Sequence, residues 1–190
     1  QTYRYDRERL DMARLLDLFD RYEIPATWAV VGHLMLDGCA PVDGVKHPEI
    51  VRPDFEWFEG DWFDDDPGGS AAADSVWFAP DLVEAIRRTR TPHEIGSHGF
   101  SHIMAGEPGC SRATFDSEMR AAVAAAEARG LTLRSVIHPR NLVGHNDVLA
   151  DHGIVAYRGR RTPGQAGSDR YPRPRPARAL IDLTVGSERT

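Results

Sequence analysis

The residues best suited to chemistry sit in one decapeptide, His93-Glu-Ile-Gly-Ser-His98-Gly-Phe-Ser-His102. His98 and His102 are four apart, so a helical turn after the preceding strand would set both imidazoles on one face. Two imidazoles so placed form a bidentate grip for zinc or a related divalent ion. They leave positions open for a carboxylate and for water, as a catalytic site needs. The competing reading is a pair of surface or helix-capping histidines. Placement at a strand end, inside a turn rich in Gly and Ser, favours the metal.

Two further segments carry candidate groups. Residues 138–145 hold His138, Arg140 and His145, and His33 follows a short apolar run. Residues 54–66 pack seven carboxylates and five aromatics into thirteen positions. Trp57 and Trp62 in that loop could stack on sugar faces, and together with His33 they are the candidate substrate contacts. Most of the loop's acids are expected to face water.

These groups must be positioned by regular elements. Residues 7–22 read as an amphipathic helix with Leu10, Leu15, Leu16, Leu18 and Phe19 on its apolar face. Residues 26–32 form a nearly all-apolar run typical of a strand buried on both sides. A long irregular stretch follows over 33–78, of a length that is usually functional or an insertion. Pro80 opens a helix to about residue 90, and residues 93–97 are a second strand. Ser111 reads as the N-cap and Gly130 as the C′ residue of an Ala-rich helix over 112–129. A third strand at 133–138, a short helix at 146–152 and a fourth strand at 154–158 complete the pattern. Strands alternating with helices predict a parallel α/β sheet or barrel. Ligand sites in such folds form at the carboxyl ends of strands. Those ends carry His33, His98, His102, His138, Arg140 and Arg158. Residues 160–178 read as a flexible Arg/Pro-rich segment, followed by a last strand at 179–185.

At 190 residues the chain reads as a single domain, with roughly 70% of its unfolded surface available for burial. Hydrophobic residues make up 41% and charged residues 27%, as in ordinary soluble domains. No apolar run is long enough to span a membrane, and the net charge of −6 argues against a nucleic-acid partner. Lys46 is the single lysine beside 22 arginines. Cys39 and Cys110 are too few for a disulfide framework or a structural zinc site; they are expected to be partly buried thiols, with a single disulfide between them as the alternative. No signal-peptide pattern follows Gln1, which predicts a cytoplasmic protein.

Three segments, in order, resemble the polysaccharide deacetylase family (the NodB-homology domain, carbohydrate esterase family 4). Glu-Ile-Pro25-Ala-Thr-Trp-Ala-Val-Val-Gly32 is similar to its Ala-Thr-Phe-Phe-Val-Val-Gly strand. His93-Glu-Ile-Gly-Ser-His98 with His102 looks like its second motif, and Val136-Ile-His-Pro-Arg140 resembles its third. The resemblance covers residues 8–36 and 80–160. It implies a distorted, incomplete (β/α) barrel with His98 and His102 as metal ligands. Zinc is the first expectation, with cobalt, nickel or manganese as alternatives.

The same resemblance implies hydrolysis of an amide C–N bond, foremost N-deacetylation of an amino sugar or related carbohydrate. Arg140 would orient a catalytic carboxylate or hold an anionic part of the substrate, and His138 and His145 are the candidate acids. Several positions depart from the pattern. The family's Asp-Asp motif is not found between Gln1 and Arg9; it is expected upstream of residue 1 with the first strand, or else absent. The acidic run at 64–66 imitates it out of order and reads as coincidence. Gly99 stands where Ser or Thr is usual, Arg140 follows its proline, and the late Leu-His motif is not recognisable. The alternative reading is a catalytically inactive domain that binds carbohydrate or serves as an interaction module.

Overall fold

The structure is a computed structural model that describes residues 2–159. The segment at 160–178 and the strand expected at 179–185 lie outside the described residues.

A long helix, α1 (Thr2–Tyr22), leads into strand β1 (Thr27–Val30). A two-stranded antiparallel ribbon, β2 (Gly38–Cys39) and β3 (Gly69–Ser70), sits within the long irregular stretch. Helix α2 (Pro80–Arg87) precedes β4 (Glu94–Ser97), and α3 (Arg112–Glu127) precedes β5 (Ser135–Val136). A short 3₁₀ segment, Asn146–His152, then leads to β6 (Ala156–Tyr157).

The main sheet is parallel, in the order β1-β4-β5-β6. Thr27 to Val30 pair in register with Glu94 to Ser97, Ser97 pairs with Val136, and Ser135 with Ala156. Successive strands are therefore spatial neighbours joined by crossover segments, as parallel pairing demands. The expected barrel is not closed: among the described residues β1 and β6 are the two edges and do not pair. Edge position also explains why β1 is not buried on both sides. Thr27 and Ala29 are exposed, and only Trp28 and Val30 turn partly inward.

Helix boundaries follow local chemistry. Pro80 starts α2, and the Ser111 hydroxyl caps α3 by accepting the Thr114 N–H at 3.0 Å. Gly130, at φ 67°, takes the left-handed turn that ends α3. Phe115, Met119, Ala122, Ala125 and Ala126 bury the inner face of α3. It packs against the Gly32–Met35 turn and the Asn146–His152 segment. Gly32 permits this close approach, since a Cβ would lie 3.0 Å from the Ala122 backbone and push it away. On α1, Leu16 is buried, whereas Leu10, Leu15 and Leu18 are exposed, so the helix buries a narrower stripe than its sequence predicts.

Candidate active site

The carboxyl end of β4 is held from both neighbours. The His98 N–H donates to the Val30 carbonyl, Gly32 and His33 N–H groups donate to the carbonyls of Gly99 and Phe100, and Ile137 N–H donates to the Ser97 carbonyl. Residues 98–102 form no helix. Gly99 at φ 77° and His102 at φ 65° carry the chain through a tight left-handed turn instead. The turn still brings the His98 and His102 rings together, with centroids 4.9 Å apart.

His98 Nδ1 lies 2.6 Å from the Ile137 carbonyl oxygen. That oxygen only accepts, so Nδ1 carries the proton and Nε2 presents its lone pair. Burial, opposed by the Ile137 carbonyl, holds His98 below the ordinary imidazole value. His102 opens to solvent, yet desolvation of its inner side, with His98 and Arg140 nearby, lowers it too. Both rings are neutral at pH 7 and fit a divalent ion as nitrogen donors. Among the described residues no third His, Cys, Asp or Glu completes a ligand set with this pair.

The turn is clamped from behind by a residue the sequence reading missed. Glu118 of α3 is fully buried, and its Oε2 accepts the N–H groups of Phe100 and Ser101, each at 2.9 Å. Ser101 donates its hydroxyl to Oε1 at 2.5 Å and accepts the Trp62 indole N–H at 2.8 Å. Burial pushes the Glu118 carboxyl up, and the three donors oppose it.

A cavity of about 380 Å³ lies beside this turn, lined among others by Phe58, Trp62, Trp77, Ser101 and His102. Trp57 stands outside it on the rim, 51% exposed and stacked on Phe55 at 5.2 Å. His33 borders the cavity but is buried, with Nδ1 3.1 Å from the Trp77 carbonyl and Nε2 3.3 Å from Asp66.

At the end of β5, Arg140 is exposed, at φ 52°. Its charge is felt at His102, and that of Arg158 at His98. His138 is buried and stacks on Phe115, with Nε2 3.1 Å from Asn146 Oδ1. Burial lowers it to about 4. The partly buried His145 places Nε2 2.8 Å from the Cys110 carbonyl.

One converging group was not expected. His33, Cys39, His47 and Asp66 place their ligand atoms within 4.8 Å of one another, so the cluster could hold a metal ion. Asp64 and Asp65 face water as expected of the acidic loop, but Asp66 is 1% exposed. Its burial was invisible in a run of three identical residues. Cys39 and Cys110 are both free thiols. Burial pushes both thiols up to about 12, with Asp66 beside Cys39 adding to the effect there.

With this geometry in place, the chain matches the family model described as polysaccharide deacetylase over residues 6–149. The chain belongs to the polysaccharide deacetylase family. No curated protein and no solved structure gives a significant match. The matched span of this deacetylase domain takes in β1, the β4 turn with its two histidines and the Arg140 segment. It also includes the cluster-bearing stretch between β1 and α2. No described helix is long and apolar enough to cross a membrane.

Proposed function

We propose that this domain is a metal-dependent hydrolase of an amide C–N bond, acting on an N-acylated amino sugar or related carbohydrate. The observation that carries the reading is the His98–His102 pair, 4.9 Å between rings, opening beside an aromatic-walled cavity. His98 Nε2 and the His102 ring would hold the ion, zinc by preference, with a carboxylate from outside the described residues as further ligand. A divalent ion bound there supplies Lewis-acid polarisation of the acyl carbonyl and a more acidic water. The chain's own groups do the rest. Trp62 and Trp77 offer apolar faces for a sugar ring. Arg140, beside His102, is suited to a catalytic carboxylate or to negative charge developing on the acyl oxygen.

His138, at about 4, is neutral near pH 7 and fits a positioning role. The proton for the leaving amine falls to His145 in this reading. Its Nε2–H is held by the Cys110 carbonyl, which leaves Nδ1 to exchange a proton. The family's distorted, incomplete barrel belongs to the same proposal.

The test pairs metal analysis with acetate release from N-acetylglucosamine oligomers, for wild type and a His98→Ala/His102→Ala variant. The wild type is expected to release acetate, and the variant at least about 100-fold less. Wild-type protein that binds the oligomers, yet releases no acetate with zinc, cobalt, nickel or manganese supplied, would replace hydrolysis with a carbohydrate-binding role.

A further inference from the structure

His33, Cys39, His47 and Asp66 are far apart in the sequence and converge on one atom. Asp66 Oδ2 lies 3.3 Å from Cys39 Sγ, 3.3 Å from His33 Nε2 and 3.2 Å from His47 Nε2. Cys39 Sγ is 3.7 Å from His33 Nε2. Zinc bonds of about 2.0–2.3 Å place tetrahedral ligand atoms about 3.3–3.7 Å apart; these four separations are close to that size, and all six lie within 4.8 Å.

Hydrogen-bond partners orient the two rings. His33 Nδ1 faces the Trp77 carbonyl at 3.1 Å, and His47 Nδ1 faces Glu49 Oε1 at 3.2 Å. Both partners only accept, so each neutral ring carries its proton on Nδ1 and turns a bare Nε2 lone pair inward. Asp66 Oδ2 also offers only lone pairs, while its Oδ1 accepts the Gly68 N–H at 2.9 Å. The Cys39 thiol supplies the one proton in the middle. A divalent cation at the centre would satisfy the two Nε2 atoms, the sulfur and Asp66 Oδ2 at once, in a space where His33 and His47 are both buried. Four converging lone-pair donors in a buried space call for a cation.

We propose that His33, Cys39, His47 and Asp66 form a closed, four-coordinate zinc site, distinct from the His98–His102 pair and independent of the proposed hydrolase activity. One thiolate, two imidazoles and one carboxylate suit zinc rather than magnesium or calcium. Four protein ligands leave no open position, which makes the role structural. The outer contacts of bound ligands already exist: the Trp77 carbonyl on His33, Glu49 on His47 and the Gly68 N–H on Asp66. Zinc binding releases the Cys39 thiol proton to solvent and forms the sulfur–zinc bond. The site would staple the chain between His33 and Asp66, whose only strand is the two-residue β2. Phe63, which borders the cavity, lies on this stretch.

The experiment reloads chelator-treated protein with Co²⁺. A thiolate-to-cobalt charge-transfer band is expected in wild type and in His98→Ala/His102→Ala, and is expected to vanish in Cys39→Ser. A second measurement needs no substitution: alkylation of Cys39 in the intact wild type, read by peptide mass mapping with buried Cys110 as internal control. Zinc is expected to slow Cys39 alkylation at least about tenfold. A cobalt spectrum without the thiolate band, or Cys39 alkylation indifferent to zinc, overturns the site. Zinc that disappears with His98 and His102 while Cys39 stays unprotected also overturns it, and leaves the hydrolase reading intact.

Discussion

Glu118 and Ser101 meet at 2.5 Å, hydroxyl to carboxylate, underneath the turn that carries His98 and His102. Through the same hydroxyl, Ser101 receives the Trp62 indole N–H from the other side. A buried acid on α3 thus fixes both the turn of the His98–His102 pair and one wall of the cavity.

Glu118→Ala would leave two backbone N–H groups and a hydroxyl without their acceptor. Each orphaned buried group costs about 1–3 kcal/mol, so a loss of at least about 3 kcal/mol is expected. Urea denaturation with an unchanged slope would show it. Glu118→Gln keeps the volume and one acceptor, and is expected to lose less.

Gly99 sits at φ 77°, where a Cβ would also come within 3.3 Å of Glu118 Oε2. Gly99→Ala is expected to cost about 1–2 kcal/mol of stability, from left-handed strain on a non-glycine residue. The same denaturation midpoint reads it out. A midpoint equal to wild type would show that the turn is looser than described.

Asp20 accepts the N–H groups of Arg90 and Thr91 at 3.0 and 2.7 Å and ties α1 to the segment before β4. The Thr91 and Arg90 backbone bonds hold its carboxyl below the usual value. A depressed folded-state value contributes stability above the unfolded-state pKa of about 3.9, and that contribution is lost as pH falls through the folded-state value. Asp20→Asn should therefore lower the melting temperature at pH 7. The gap between the two proteins should close as pH drops below about 4, where the protonated wild type resembles the variant.

Trp62 and Trp57 should separate in kinetics. Trp62 lines the cavity and Trp57 stands on the rim. Trp62→Ala is expected to raise KM for an N-acylated oligosaccharide about tenfold or more by removing a stacking face. Trp57→Ala is expected to change it less than about threefold. Trp62→Phe keeps a ring but loses the bond to Ser101 and should cost about 1 kcal/mol of stability.

Much of the frame was legible in the sequence because its signals are local. Pro80 starting α2, Ser111 and Gly130 bracketing α3, and the apolar runs at β1 and β4 each follow from one or two residue types. The His98–His102 pairing was legible as a pairing, but its helical geometry was not. Gly99 and His102 in left-handed conformations bring the rings together without a helix, and only backbone dihedrals reveal that. The β5 and β6 ladders, two residues each, are shorter than their apolar runs. The four-residue cluster had no legible spacing. Positions 33, 39, 47 and 66 are brought together by an irregular loop, and counting cysteines directs attention away from a site in which imidazole and carboxylate supply most of the ligands. Glu118 was hidden in the same way, since a carboxylate on an Ala-rich helix ordinarily faces water.

Lys46 spends its ammonium on the carbonyls of Phe63, Asp64 and Asp66, bracing the loop that presents Asp66. It is also the only lysine in the sequence. Within these 190 residues an amine-directed reagent, whether a cross-linker, a biotin ester or an acetylating agent, therefore has a single side-chain target, and that target holds the loop in shape. Immobilising or labelling this protein through Lys46 would act on its architecture, whereas arginine guanidinium groups are left untouched by such reagents.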